Sequence, residues 1–284
     1  MKKNPPCEAL KKIRRMTGAE EMKAFAERLA SAASNRSHLL KRFTPPNLLL
    51  LANEGAGVTH CLSLLTELLH ELFPVGTFIG EEDLFEWCIE DDDASFKQLL
   101  LRIRQAGGFY GQFRGVVGLD MRLVLAEKTA LPELRRLMTF VREQQEIVFV
   151  FVAPQNMKPS LRKDLEEELM ANTIIETIEL CMPDKKAAAS YMLDQLHQRG
   201  FVSGSDIDEA AQNAAAQVIA SGKFAGFRSL DTAVGEVVWR KVAQGGENIM
   251  LSARDFNGLT CRILEANTSK HTSNQRKIGF GQNR

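Results

Sequence analysis

Two short stretches of this chain have the residue types and spacing to hold a triphosphate, and both are incomplete. The first is Ala52-Asn53-Glu54-Gly55-Ala56-Gly57-Val58-Thr59, which follows the apolar run NLLLLA and opens the helix-forming stretch VTHCLSLLTELLHELF. A phosphate-cradling loop has the form G-x-x-x-x-G-K-[ST]. Backbone N–H groups and a helix N-terminus surround the phosphates, lysine adds positive charge, and the hydroxyl reaches magnesium. Gly57 and Thr59 fit that pattern, but Ala52 stands at its first glycine and Val58 at its lysine. Exchanging an ammonium for an isopropyl group removes charge-assisted hydrogen bonds worth about 1.5–3 kcal/mol each. Glu54 adds a carboxylate to the same turn, which disfavours a triphosphate further. Gly55 and Gly57 therefore have two readings: a tight strand-to-helix turn that needs glycine, or a nucleotide loop of weakened or altered affinity.

The second stretch is GVVGLDM, residues 115–121. An apolar strand ending in Asp-Glu supplies one carboxylate that orients magnesium and another that activates the attacking water. Asp120 fills the first role, but Met121 stands in the second, and a thioether neither takes a proton nor aligns water. Asp120 alone reads equally as a helix cap or as a retained metal ligand. No other reaction class is signalled. His60, His70 and His197 lie in helical stretches without metal-ligand spacing, and His38 and His271 lie in polar surroundings. No G-x-S-x-G nucleophile motif is present. The five cysteines form no CxxC pair and read as reduced thiols, several of them buried.

These residues need a scaffold, and the hydrophobic pattern supplies one. Met22, Phe25, Ala26 and Leu29 share one helical face and predict an amphipathic helix over residues 18–33. NLLLLA is wholly apolar, as a central strand covered on both faces should be. Further strands are predicted at GTFI (76–79), GVVGLD, IVFVFVAP and TIIETIEL. Helices are predicted over the acidic segment 81–93, over SFKQLLLRIRQA and over ALPELRRLMTFVREQQ. That alternation predicts five parallel strands with crossover helices. After Pro183 the strand signal stops, and KAAASYMLDQLHQRGF, DIDEAAQNAAAQVIASG, FRSLDTAVGEVVWRKVAQ and SARDFNGLTCRILEA predict four helices. The expected divisions are leading helices over 1–45, an α/β core over 46–182, a helical domain over 183–266 and a polar, mobile tail over 267–284.

Four partial motifs in this order resemble the bacterial AAA+ ATPases of the rubisco-activase and stage V sporulation type, over roughly residues 17–265. TGAEEMK is similar to that family's "GLxxVK" opening helix, and LLLLANEGAGVTHCLSLL to its nucleotide loop. VFVFVAPQNMK resembles its "AGYxxxM" fourth strand, and GKFAGFRSLDTAVGEVV its "GNARxVRN" lid helix. The resemblance implies a three-layer α/β P-loop NTPase-like (AAA+) domain with a five-stranded parallel sheet, followed by a small all-helical lid. It implies that Arg228 is either the lid arginine that touches the γ-phosphate or a solvated arginine at a helix start. It also implies an arginine finger in "LxSRF" before the fifth strand, where KDLEEELMANTIIETI offers no arginine. The family's aromatic pore loop, after the second strand, corresponds to DLFEWCIEDDD, so Phe85 and Trp87 are either partner-gripping residues or core.

Lys plus Arg and Asp plus Glu each number 36, so the balance gives no pointer to nucleic acid or to an anionic membrane. The start, MKKNPPCEALKKIRR, lacks the apolar core of a secretory signal, and the expectation is a cytoplasmic protein. The functional expectation is a degenerate AAA+ protein: a scaffold, adaptor or regulatory subunit with protein partners, including a catalytically competent AAA+ paralogue. In that reading it has no catalytic residues, no metal and no cofactor, and it is monomeric or assembles only with its partner. The alternative is an ATP-binding AAA+ ATPase or switch that uses magnesium with Thr59, Asp120 and Arg228 in a non-standard site.

Overall fold

The computed structural model describes residues 7–34, 45–72, 84–86, 115–122, 125, 130–143, 147–204, 206–243 and 249–259. The chain divides into two compact units, Met1–Cys181 and Met182–Arg284.

The first unit is built on β1 (Asn47–Ala52), β2 (Leu84–Glu86), β3 (Gly115–Asp120), β4 (Ile147–Ala153) and β5 (Ile175–Leu180). All neighbours are parallel, in the order β2-β3-β4-β1-β5. Every residue of β1 and β4 is buried, as their unbroken apolar sequences require of the strands in the middle. Four strands of six or seven residues form the body of the sheet, and β2 adds three residues at one edge. The second strand departs from expectation. It lies at Leu84–Glu86, inside the acidic segment read as helix, because pairing with Gly118–Asp120 of β3 supplies hydrogen bonds that no sequence periodicity announces. The segment 76–79 lies outside the described residues, as does the helix predicted over SFKQLLLRIRQA.

Alternation divides the sheet side chains between its two faces. Leu49, Leu51, Val117, Leu119, Phe149 and Phe151 join one core with side chains of α4 (Ala130–Glu143) and α5 (Pro159–Asn172). α3 (Val58–Leu72) contacts β3 and packs with α1 (Glu8–Arg14) and α2 (Glu20–Ser34). α2 also covers the outer edge of β5. The Glu179 amide donates to Glu21 Oε2 at 2.6 Å, and Arg28 pairs with Glu176. This blunts an edge that would otherwise offer unpaired backbone groups. At the opposite end of the strands, the buried Asn47 side chain accepts from the Phe149 amide and donates to Thr173 Oγ1, each at 2.7 Å. One amide thereby pins β4 and the approach to β5 onto β1.

The second unit contains α6 (Lys185–Gln198), α7 (Ile207–Ala220) and α8 (Phe227–Ala243). Small buried residues Ala188, Ala189, Ala211, Ala214 and Ala215 line its core with Met192, Leu196 and Val234. It is not all-helical. β6 (Val202–Ser203) pairs in parallel with β7 (Met250–Leu251), a contact of two residues on each side that is too short to leave a sequence pattern. Of the predicted fourth helix, the described part holds a 3-10 turn at Ala253–Phe256 and a helical residue at Leu259, beyond which the segment lies outside the described residues. Lys241 donates to the Met250 carbonyl at 2.8 Å and pairs with Asp255 at 2.9 Å, both side chains being buried. No helix among the described residues is long and apolar enough to cross a membrane.

Candidate functional site

The candidate site lies where β1, β3, β4 and β5 end. After Ala52 the chain reverses: the Ala56 amide donates to the Asn53 carbonyl at 3.2 Å, and Gly55, third in that turn, has φ 82°. That angle belongs to the third position of a type II turn and favours glycine. Gly57 has φ 85°, and its carbonyl accepts the Cys61 amide at 2.9 Å, the bond that launches α3. Asn53 Nδ2 donates to Gln155 Oε1 at 3.3 Å, and Gln155 Nε2 donates to Cys181 Sγ at 3.7 Å. A chain of amides thus ties together the segments that follow β1, β4 and β5.

Val58, which follows Gly57 directly, is buried. It is 7% exposed and is the first member of the stripe Val58, Cys61, Leu62, Leu65, Leu68 and Leu69. That i, i+3, i+4, i+7 spacing is the apolar face of a helix, so position 58 belongs to the core before it belongs to the loop. Burial in the same stripe pushes the Cys61 thiol up to about 12. Thr59 is exposed one residue on.

Met121 has the same fate. It is 1% exposed and packs in the core with Leu125, Leu134, Leu137 and Met138, while its amide continues the sheet by donating to the Val152 carbonyl at 2.8 Å. Asp120, beside it, is 8% exposed and is taken up by Arg122. Arg122 Nε donates to Oδ1 at 2.9 Å and Oδ2 at 3.1 Å, Nη2 donates to Oδ2 at 2.5 Å, and the Arg122 amide donates to Oδ1 at 3.1 Å. Asp120 is therefore both a backbone cap and half of an ion pair. Arg122 is the site residue that sequence reasoning missed. Its signal was an arginine two places after the strand-end acid, a spacing that brings the two together only when the chain turns at once.

Phe85 lies within β2, opposite Leu119 of β3, rather than in a loop after the strand. Trp87 lies outside the described residues. Arg228 is an exposed residue of the second unit, near the start of α8, where its carbonyl accepts from Thr232 Oγ1 at 3.0 Å. Arg162, the arginine of α5 nearest the missing finger, is engaged by Glu166 at 2.9 Å and Glu179 at 2.8 Å.

Magnesium triphosphate does not fit the residues present. The lysine position is a buried valine, the water-activating position is a buried methionine, and the one retained carboxylate already carries a guanidinium. Among the described residues, no three His, Cys, Asp or Glu side chains group as a metal site.

No protein-family model matches this chain, and no curated protein matches it. Solved structures do match. A point mutant of Thermotoga maritima RuvB aligns with TM-score 0.55 and 13% identity, over 89% of this chain and 72% of that one. The Aeropyrum pernix ORC2 protein, in ADPNP-ADP complexes, aligns with TM-score 0.56 and 13% identity, over 93% of this chain and 73% of that one. Domain III of the Thermotoga maritima replication initiation protein DnaA aligns with TM-score 0.51 and 12% identity, over 93% of this chain and 99% of that one. The fold is that of the AAA+ P-loop ATPases.

Proposed function

We propose that this chain is a pseudo-ATPase of the AAA+ fold. It acts in the cytoplasm as a scaffold, adaptor or regulatory subunit of a protein assembly, with a catalytically competent AAA+ paralogue as a partner. Within the fold, the order of its partial motifs supports the rubisco-activase and stage V sporulation branch. The second unit then takes the place of the lid.

One observation carries the reading. The two positions that would need a lysine and a glutamate are not exposed polar sites that have lost a group; they are working members of the core, Val58 at 7% and Met121 at 1% exposure. Removing charge from a loop weakens binding, but burying the position in an apolar stripe removes the place from which the charge would act. The turn at Gly55 and Gly57 keeps its shape because β1 must still reverse into α3. The scaffold persists for packing reasons that are independent of turnover.

The test is calorimetric titration of the full chain with magnesium and ATP, together with a phosphate-release assay. No saturable heat up to millimolar nucleotide and no release above the protein-free rate are expected. Saturable binding at micromolar ATP would sink this reading and favour a nucleotide switch that uses Thr59 and Arg228.

A further inference from the structure

Asp120 is the one magnesium-type ligand that this site keeps as a carboxylate, and at 8% exposure it must be compensated where it stands. A buried charge without a partner is among the most expensive features a fold can hold. A carboxylate offers about four lone-pair positions, two on each oxygen. Here Oδ1 receives the Arg122 amide and Nε, while Oδ2 receives Nε and Nη2. Three donors of a single residue thus cover both oxygens, with Nε shared between them.

That residue is also held in place from behind. Asp120 is in register with Val152 of β4, the Met121 amide donates to the Val152 carbonyl, and the Leu125 amide donates to the Met121 carbonyl at 2.9 Å. The backbone on both sides of the pair is thus held, by the sheet before it and by the Leu125-to-Met121 hydrogen bond after it. The side chains are 25% exposed for Arg122 and 9% for Asp120, so the guanidinium is the lid over the acid.

We propose that Arg122 is the resident counter-cation of this site. Its guanidinium holds the oxygens of Asp120 that a divalent ion would need, so the sheet edge is charge-balanced with neither metal nor nucleotide, and a metal reaches Asp120 only by displacing it. The inference rests on the non-hydrolytic reading above and deepens it by naming what has taken the place of the metal.

The test uses the full chain, with magnesium chloride and guanidinium chloride as probes at up to 20 mM and sodium chloride at matched ionic strength as control. Wild type should show the same thermal midpoint in all three salts. Arg122→Ala should melt lower by about 4–8 °C, and magnesium should return about 3 °C or more of that loss at ten times its dissociation constant. Asp120→Asn/Arg122→Ala, which removes both charges, should respond to neither probe. If Arg122→Ala does not fold, refolding yield becomes the readout, and yield restored by magnesium but not by sodium supports the proposal.

Three results would overturn it. Rescue by guanidinium alone marks a plain structural ion pair. Rescue by neither cation, in midpoint or in yield, shows that no cation site exists at Asp120. A magnesium-dependent rise in wild type shows that Arg122 does not occupy that site. If wild type instead binds magnesium and ATP and turns over, the pseudo-ATPase reading has failed first, and the titration identifies that case separately.

Discussion

Restoring a carboxylate where the water-activating residue would stand, by Met121→Glu, should destabilise the first unit in a pH-dependent way and should not restore hydrolysis. Met121 is 1% exposed among Leu125, Leu134, Leu137 and Met138, so the change first removes a buried apolar side chain, at about 1.5–3 kcal/mol at any pH. The new carboxyl would have apolar neighbours and no partner, which raises its folded pKa above the unfolded value of about 4.3. Between those two values the folded chain keeps a proton that the unfolded chain has released. Stability therefore falls as pH rises, by about 1.4 kcal/mol per pH unit, and levels off above the folded pKa. If burial raises the folded value by two to three units, the added loss between pH ~4.3 and pH ~7 is about 3–4 kcal/mol. Urea unfolding of variant and wild type from pH 4 to 8 measures the gap directly, and hydrogen exchange at β3 and β4 assigns it to the first unit. A gap that does not widen with pH would show that position 121 opens to solvent. A gain in ATPase activity would show that it faces the site, and either result would refute the argument.

Val58→Lys should cost about 1.5–3 kcal/mol, because the first residue of the α3 stripe leaves the core, and an unchanged thermal midpoint would contradict that placement. Lys241→Met should destabilise the second unit by about 3–5 kcal/mol, since it leaves the buried Asp255 carboxylate without its ammonium; chemical denaturation checks this. Burial pushes the Asp255 carboxyl up, but Lys241 and the Ser252 amide and hydroxyl outweigh it and hold it below its usual value. Its contribution is accordingly complete above the unfolded pKa of about 3.9 and is lost as pH falls through the folded pKa, so wild-type unfolding midpoints should drop below pH ~4. Iodoacetamide at pH 7.5 should label the exposed Cys181 and spare Cys61, whose thiol burial pushes to about 12, until the chain is denatured; peptide mass spectrometry reads the outcome.

The sequence carried the parts of this fold that depend on long local patterns. NLLLLA and IVFVFVA could only be covered strands, and the α3 stripe could be counted from Val58 onward. The same count, had it been applied to Val58, would have placed it in the core, a stronger statement than its failure to match a lysine. What was not legible depends on short or non-local contacts. Leu84-Phe85-Glu86 is a strand because β3 lies beside it, and Val202 and Met250, far apart in sequence, pair within the second unit. Nothing in GVVGLDMR shows that the backbone turns sharply enough after Asp120 for Arg122 to return onto its carboxylate. Sequence comparison with a working site shows which groups are missing, and only the geometry shows what replaced them.

The clamp of α2 on β5 also sets an order of events during synthesis. Glu21 and the amide it receives are 158 residues apart, and β5 is the last strand of the sheet to be made. At about 5–20 residues per second, the helix face of Met22, Phe25, Ala26 and Leu29 waits roughly 8–30 s after translation before its seat exists. β1, a middle strand of the finished sheet, waits through most of the same interval for both of its neighbours, β4 and β5. The first unit can therefore close only after its final strand emerges, and until then its earliest-made apolar segments are open to whatever else binds nascent chains.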